Sequence, residues 1–279
     1  MPTSNQTMTN DQVNGLWIGS HLSRLELLTV RSFCDHGMGF RLWVYDELDN
    51  DLSGIDGLEV CDATEIIPRD DVFQYRNSNT FGHGKGSYAG FSDIFRYKLL
   101  YDRGGWWVDM DICCLRPFDF DEPYVFRAHH ELPMVGNVMK VPKGSDLMKR
   151  CFDEAAREVD AENTDWHKPI EILNRNVFDL DLGGFIRTDL SHPDRWDVLY
   201  KLIRRRRPLP PHHFFVHWMN EEWRHRGIDK ENVRFASTLG ELMQRHGVLP
   251  ENHTFRDRIR NGFHHSTLYR NLKLLEVLD

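Results

Sequence analysis

Short apolar runs alternate with amphipathic segments through the N-terminal part of the chain. Apolar runs at residues 13–19, 40–45 and 58–61 predict β-strands, and the segment 22–33 predicts an amphipathic helix. A strand, a helix and a second strand in succession favour a parallel pair of strands with the helix as its crossover. The pattern therefore predicts an α/β fold with a mostly parallel central sheet flanked by helices.

The same patterning continues through the middle of the chain. Residues 125–127 and 134–141 predict short strands, and residues 146–159, 167–177 and 237–246 predict helices. The chain has 279 residues, of which 40% are hydrophobic, so it can bury a large core. One α/β domain with an appended subdomain is favoured over two equal domains.

The most informative stretch, residues 91–118, reads FSDIFRYKLLYDRGGWWVDMDICCLRPF. A glycine-rich loop at 74–90 leads into an apolar helical stripe, which the pair Gly104–Gly105 ends. An apolar strand follows and ends in Asp109 and Asp111. Residues i and i+2 of an extended segment share one face, so the two carboxylates are expected to converge on one point, which suits a hard divalent cation.

Two charged residues on the preceding helix add to this pair of carboxylates. Asp93 and Arg96 lie at i and i+3 and therefore share one helix face. Arginine donates in a fixed fork and aspartate accepts, so together they can orient an oxygen-rich ligand; a plain salt bridge that tethers the helix is the alternative. A D-x-D pair also occurs on solvated loops, but here it follows an apolar strand and encloses Met110.

The segment SDIFRYKLLYDRGGWWVDMDICCLRPF resembles the core signature of the glycosyltransferases whose sugar-binding region contains a DXD motif, of the family 32 type. It is similar, more distantly, to the glucosyltransferase domains of large clostridial toxins. Those families keep the same interval between the Ser-Asp-x-x-Arg element, here with Asp93 and Arg96, and the D-x-D of Asp109 and Asp111. The resemblance implies a GT-A (Rossmann-like) fold with these four residues as the catalytic set. It implies Asp111 as the direct metal ligand, and Asp109 as a ligand through water or a partner of the ribose hydroxyls.

Two further stretches carry the resemblance. GLWIG at Gly15–Gly19 resembles the first strand of the family, in which the tryptophan, here Trp17, stacks on the nucleotide base; a core tryptophan is the alternative. VHWMNEEW at Val216–Trp223 resembles the C-terminal His and Trp element of the family. It makes His217 a candidate metal ligand or phosphate contact, with a packed core histidine as the alternative.

Four more residues are candidates for binding the nucleotide sugar. Asn220 and Trp223 would close over the diphosphate, although a Glu-Glu-Trp run can also simply begin a helix. The hydroxyls of Ser87 and Tyr88 lie just before the helix of Asp93 and could reach the donor.

The resemblance covers about residues 13–247, so we predict a glycosyltransferase domain over 1–247. Residues 248–279 are predicted to form a C-terminal extension, helical and packed on the same domain. A second candidate boundary lies at 204–211, RRRRPLPP, where a charge run meets a proline cluster. The run of arginines, Arg204 to Arg207, either contacts an anionic acceptor or a membrane surface, or is a solvated face.

The function implied by the resemblance is a metal-dependent hexosyltransferase that uses Mn²⁺ or Mg²⁺. The donor would be a nucleotide diphosphate sugar, a UDP-sugar first and GDP-mannose second, and the anomeric configuration would be retained. The acceptor hydroxyl would belong to a glycan, a lipid-linked oligosaccharide, a protein or a modified nucleic-acid base, in polysaccharide or glycoconjugate synthesis.

Two other classes of protein stay open on the residues alone. A metal-dependent phosphoesterase would need further acidic ligands, which Asp119, Asp121 and Glu122 nominally supply. A noncatalytic nucleotide-sugar binding protein would keep the metal site without turnover.

Composition and charge narrow the partners and the compartment. The formal net charge of -8 argues against generic binding to nucleic-acid backbones. The five cysteines show no C-x-x-C spacing, which favours a reducing compartment over a disulfide framework. The sequence shows neither a leader nor a transmembrane segment, so we expect a cytoplasmic protein.

Overall fold

The computed structural model describes residues 12–250 and 254–266. Its helices and strands follow the alternation that the apolar pattern predicts. The strands are β1 (Gln12–Trp17), β2 (Gly39–Val44), β3 (Leu58–Asp62), β4 (Gly105–Val108), β5 (Ile112–Cys114), β6 (Val125–Ala128), β7 (Met134–Val141), β8 (Ile186–Arg187) and β9 (Phe215–His217). The α-helices are α1 (Arg24–Asp35), α2 (Ala89–Arg103), α3 (Asp146–Glu158), α4 (Lys168–Asp179), α5 (Trp196–Arg204), α6 (Asn220–His225), α7 (Thr238–Arg245) and α8 (Phe255–His264).

The central sheet contains seven strands in the order β3-β2-β1-β4-β7-β6-β8. The strands β3, β2, β1 and β4 run parallel, β7 is antiparallel to both β4 and β6, and β8 is parallel to β6. The α/β class with a mostly parallel sheet, predicted from the sequence, is confirmed. A separate two-stranded antiparallel sheet joins β5 to β9, with Ile112 opposite His217.

Adjacent tryptophans on β4 show how the sheet divides the core. Side chains alternate between the two faces of a strand. Trp107 packs with α2 and α3 in one apolar cluster, whereas Trp106 packs with Phe33 of α1 in another. Both tryptophans are buried, so the acidic turn that follows β4 is held by a strand anchored on both faces.

The stop between α2 and β4 depends on a glycine. Gly104 caps α2 with φ of 68°, a left-handed conformation that side chains rarely adopt. A Cβ at this position would lie 2.4 Å from the backbone nitrogen of Lys143, so no other residue fits without a shift. Because α2 ends at this glycine, β4 begins at the next residue and only that strand separates the helix from the acidic turn.

The C-terminal region contains one described helix, α8. The side chain of Asn261 on this helix donates to the carbonyl of Val233 at 2.9 Å and accepts from the backbone N–H of Phe235 at 2.9 Å. The division at residue 247 stays a prediction, and residues 251–253 and 267–279 of the predicted extension lie outside the described residues. Within 12–250 and 254–266, no helix is long and apolar enough to cross a membrane.

Candidate active site

The D-x-D pair lies in a turn between β4 and β5. The backbone N–H of Ile112 donates to the carbonyl of Asp109 at 3.1 Å and closes the turn, while Asp109 N–H donates to the carbonyl of Asn137 on β7 at 2.9 Å. The expectation that both carboxylates share one face of an extended strand is therefore wrong. Because the chain turns at this point, Asp109 and Asp111 contact different groups.

Asp109 faces the α2 helix. Its Oδ1 accepts from Arg96 Nη2 and from Trp107 Nε1, both at 2.7 Å. Arg96 Nη1 lies 2.7 Å from Asp93, so one guanidinium joins the two carboxylates, as the shared helix face predicted. About a third of the Asp109 side chain, 32%, is exposed, whereas Arg96 is buried. Arg96 therefore forms salt bridges with both carboxylates, while the exposed part of Asp109 can still accept from a ligand.

Burial shifts the pKa of Asp93, and a glycine on β7 leaves the space that the Arg96 guanidinium occupies. Burial raises the pKa of the Asp93 carboxyl to about 6, with Arg96 opposing the shift. Gly136 on β7 makes room for the guanidinium, since a Cβ there would lie 2.3 Å from Arg96 Nη1. The Arg96 guanidinium also lies over the Trp107 ring, 5.2 Å from its centroid.

Asp111 faces the opposite way, towards β9 and α6. Its Oδ2 accepts from the backbone N–H of Asn220 at 2.6 Å and lies 3.3 Å from His217 Nε2. Its backbone carbonyl accepts from Trp218 N–H at 2.8 Å. The carboxylate is buried, and its Oδ1 has no hydrogen-bond partner among the described residues.

A buried network behind His217 holds the imidazole in place. Asp194 Oδ1 lies 3.0 Å from His217 Nδ1, and the same carboxylate forms a bidentate pair with Arg127, at 2.6 and 2.7 Å. Arg127 also donates to Asn137 Oδ1 at 3.2 Å. The network fixes which ring nitrogen of His217 faces Asp111.

The pKa values of this network follow from its charges. Burial by itself lowers the pKa of His217, but the carboxylates of Asp194 and Asp111 reverse this effect and raise the pKa to about 10. Burial opposes ionisation of Asp194, while His217 and Arg127 lower its pKa well below the usual range. A protonated imidazolium thus supplies the positive charge between two carboxylates.

Sequence reasoning missed both Arg127 and Asp194. Asp194 stands in a short loop, SHPDRW, which carries no catalytic pattern. Arg127 was the better signal, because an arginine inside an apolar strand must find a counter-charge if it is buried. Its partner, however, is 67 residues further along the chain and could not be named.

Asn220 is positioned by a strained residue. Met219 has φ of 55°, a left-handed conformation uncommon for a non-glycine residue, and it precedes the first turn of α6. The Asn220 side chain donates to Glu26 Oε1 at 2.9 Å, and Lys230 donates to the same oxygen at 2.7 Å. Asn220 Oδ1, also buried, has no hydrogen-bond partner in the part of the chain that the structure describes.

These donors fit a divalent cation held at few positions. Asp111 and Asn220 are joined by a hydrogen bond, and each has a buried Oδ1 that finds no partner among the described residues. His217 Nε2 lies next to the other carboxylate oxygen of Asp111. Within 12–250 and 254–266, no group of three or more His, Cys, Asp or Glu is arranged to hold a metal. Few protein ligands leave positions free for the oxygens of a substrate, which is how phosphate-binding metal sites are built.

The remaining candidates lie nearer the surface. Trp17 is half-buried at the end of β1, with Nε1 donating to the carbonyl of His21 at 3.0 Å and Lys230 lying 5.7 Å from its ring centroid. Tyr88 precedes α2 and lines an open cavity of about 670 Å³. Ser87 Oγ accepts from the backbone N–H of Ala89 at 3.2 Å.

Trp223 differs from its predicted role. Only 1% of this residue is exposed, and its Nε1 donates to the carbonyl of Trp218 at 2.7 Å. Its apolar ring packs in a core cluster with Leu25 and Met243. The structure does not support the predicted contact of Trp223 with the diphosphate, because the ring lies in the core and its Nε1 is already bonded.

The glycine-rich loop before α2 is tied to α6. Gly84 N–H donates to Glu221 Oε1 at 3.1 Å, and Arg224 donates to the carbonyl of Lys85 at 2.7 Å. His83 Nε2 lies 3.4 Å from a carboxylate oxygen of Glu222. The loop thus connects the helix that holds Arg96 with the helix that begins at Asn220.

An α/β sheet with an acidic turn after a central strand, an arginine on one side of that turn and a histidine on the other, is consistent with a site for an anionic sugar donor. Residues 60–129 match the model of the family described as glycosyltransferase sugar-binding region containing DXD motif. The matched segment contains Asp93, Arg96, Asp109 and Asp111. The resemblance inferred from the sequence is confirmed over this segment.

Solved structures give more distant likenesses. The PaToxG glycosyltransferase is 13% identical, with 84% of this chain and 83% of that chain covered and a TM-score of 0.44. The apo-form glycosyltransferase GlyE of Streptococcus pneumoniae TIGR4 is 13% identical, with 86% of this chain and 60% of that chain covered and a TM-score of 0.47. No curated protein sequence matches the chain.

Proposed function

We propose that this protein is a glycosyltransferase that depends on a divalent metal and moves a hexose from a nucleotide diphosphate sugar to a hydroxyl acceptor. A UDP-sugar is the first choice of donor and GDP-mannose the second. One observation carries the metal dependence: Asp111 Oδ1 is a buried carboxylate oxygen without a partner among the described residues. Asn220, whose backbone N–H binds the other oxygen of Asp111, also has a buried Oδ1 without a partner among them. Buried polar atoms are almost always bonded, so two such oxygens together favour a cation.

The metal ligands would come from the β9 side of the acidic turn. Asp111 and Asn220 would hold Mn²⁺ or Mg²⁺, and His217 would join them once the metal displaces its Nε2 proton. Asp109 would bind through water or hold the ribose hydroxyls. The metal, when bound, would neutralise the charge that develops on the diphosphate leaving group. Asp194 and Arg127 would keep His217 oriented towards Asp111 throughout, because both are buried and mutually bonded.

The donor sugar would bind on the α2 side of the turn. Asp93 accepts and Arg96 donates, and their mutual salt bridge holds both groups in fixed directions. The exposed part of Asp109 supplies a further acceptor. Trp17 would stack on the base, and the hydroxyls of Ser87 and Tyr88 would border the donor.

Transfer with retention follows from the family resemblance and is part of the proposal. The acceptor oxygen would bond to the anomeric carbon on the face from which the diphosphate departs, and the departing phosphate would take the acceptor proton. No dedicated protein base is then required. The proposed acceptor class is a glycan, a lipid-linked oligosaccharide, a protein or a modified base, in polysaccharide or glycoconjugate synthesis.

The test is a donor-hydrolysis assay with the full chain, Mn²⁺ and separate UDP-sugars and GDP-mannose. Slow release of nucleoside diphosphate, lost in Asp111→Asn and in metal-free buffer, supports the proposal. Asp121→Asn is the matched control, because Asp121 belongs to the acidic group that a phosphoesterase would need, and it should keep full activity. Cleavage of generic phosphoesters, or donor binding without any release, would contradict the proposal.

A further inference from the structure

A second concentration of positive charge lies outside the candidate active site. The C-terminal end of α5, the loop after it, Arg234 and the end of α8 enclose a cavity of about 530 Å³. Five of the side chains that line it are cationic: Lys201, Arg204, Arg205, Arg207 and Arg234. None of the described residues that line it is acidic.

The charge around this cavity contrasts with that of the whole protein. The formal net charge is -8, yet four cations from residues 201–207 and a fifth, Arg234, line one cavity. The carboxylate of Glu241 pairs with Arg206, which does not line the cavity, and Asp197 lies 3.4 Å from Lys201. From the sequence, the run Arg204 to Arg207 either contacts an anion or a membrane surface, or is a solvated face. The fold places three of these arginines around the cavity together with Lys201 and Arg234.

A buried guanidinium nitrogen without a partner among the described residues points to a ligand in the cavity. Arg234 Nε is buried and has no hydrogen-bond partner in the described part of the chain, although a guanidinium N–H must donate to something. Burial, and then the charges of Arg204 and Arg234, lower the pKa of His265 to about 4, so its imidazole is neutral and adds no charge to the five cations.

We propose that this cavity binds a compact, soluble anion that carries two or more phosphate groups. Guanidinium groups match phosphate oxygens in bidentate geometry, and several arginines around one cavity suit several phosphates. The volume lies within the range of small-molecule sites. A concave site on an acidic protein favours a small ligand over a membrane surface or a nucleic-acid backbone, both of which need an extended basic surface.

The site is distinct from the proposed donor site. None of its lining residues contacts Asp109, Asp111, His217 or Asn220 in any described hydrogen bond or ion pair. The proposal therefore stands or fails independently of the proposed transferase activity. It can be measured without metal, without donor and without turnover.

Calorimetric titration of tripolyphosphate into the full chain, in buffer with EDTA, tests the proposal. We expect one saturable site, an affinity at least about tenfold weaker in Arg234→Gln, and a similar loss in the double variant Arg205→Gln/Arg207→Gln. Arg205 and Arg207 are exposed, so the second variant keeps the test valid if Arg234→Gln does not fold. Arg157→Gln, an exposed arginine on α3, is the matched control and should bind as the wild type does.

Further measurements separate this site from other sources of phosphate. Asp111→Asn should leave tripolyphosphate binding unchanged; a loss there would assign the binding to the donor site and overturn the proposal. Vesicles that contain a phosphoinositide, and single-stranded oligonucleotides, should bind more weakly than tripolyphosphate. Binding to vesicles or oligonucleotides alone, or no tripolyphosphate binding by the wild type, would overturn it as well.

Discussion

Asp109 and Asp111 lie two residues apart on one turn but in contrasting surroundings. Asp109 is partly exposed and already bonded to a guanidinium and an indole, whereas Asp111 is buried with one oxygen unpartnered among the described residues. The Asp109 side is built to present fixed polar groups to a ligand. Under the proposed function, the Asp111 side would receive a cation, so one turn would separate two kinds of binding.

The strongest test of this contrast replaces each aspartate by the isosteric asparagine. We expect Asp111→Asn to reduce metal-dependent donor hydrolysis by at least about 1,000-fold, because a negative ligand is lost from a site with few ligands. Asp109→Asn should cost only about 10- to 100-fold, since an amide oxygen can still accept from Arg96. Hydrolysis rates across an Mn²⁺ titration measure both. Equal losses of hydrolysis rate in the two variants would contradict different roles for Asp109 and Asp111.

Asp194→Asn tests whether Asp194 and Arg127 are needed to hold His217 for the proposed metal site at Asp111. The change leaves Arg127 buried without its counter-charge, which should lower the free energy of unfolding by about 3–5 kcal/mol. It should also weaken Mn²⁺ binding about 10- to 100-fold, because the imidazole loses the carboxylate that orients it. Urea unfolding and Mn²⁺ titration measure the two effects.

The matched control for Asp194 is Glu59→Gln, which removes one partner of the exposed pair that Glu59 forms with Arg41 at 2.8 Å. An exposed pair contributes at most about 1 kcal/mol, so this variant should unfold nearly as the wild type does. Unchanged Mn²⁺ affinity in a folded Asp194→Asn protein would show that His217 does not need the network.

The buried carboxyl of Asp93, on the α2 side of the turn, should make the free energy of unfolding depend on pH. The pKa of Asp93 is raised to about 6 in the folded protein from 3.8, so the folded state binds the proton more tightly. This contribution is fully present below pH 3.8 and is lost as the pH rises through about 6, a change of up to about 3 kcal/mol. Asp93→Asn should remove it. Urea unfolding of both proteins between pH 4 and 7 gives the comparison, and parallel curves would contradict the assignment.

Trp17 provides the smallest expected effect. Stacking of a base on an aromatic ring contributes about 1–3 kcal/mol, so Trp17→Leu should weaken UDP binding by that amount. Trp196→Leu is the matched control, since Trp196 is also partly buried but packs against the apolar cluster of α5 and α7. Calorimetric titration with UDP measures both variants. A Trp17→Leu protein that binds UDP normally would place this tryptophan in the core alone.

The α2 side of the site was predictable from the sequence because its members are close along the chain. Asp93, Arg96 and Asp109 lie within one helix, one glycine stop and one short strand, and local rules relate such positions. The same rules predicted most strands to within a few residues. They failed at the D-x-D itself, where the turn replaced the expected extended segment, and at Trp223, whose burial depends on packing.

The β9 side could not be assembled from local rules. His217 was a candidate only through the family resemblance, and Asp194 and Arg127 were missed. These residues meet Asp111 because β5 pairs with β9 and because a buried arginine draws a carboxylate from a distant loop. Pairing and burial over such separations depend on the packed core, and no spacing in the chain encodes them directly.

The sequence by itself determined the α/β class, the acidic pair that follows β4 and the Asp93–Arg96 partnership, since periodicity and short spacing are local properties. The tertiary structure decided which aspartate keeps a free oxygen, which groups orient His217, and that Arg234 joins the arginine run around one cavity. Those features depend on burial, and burial is a property of the whole fold.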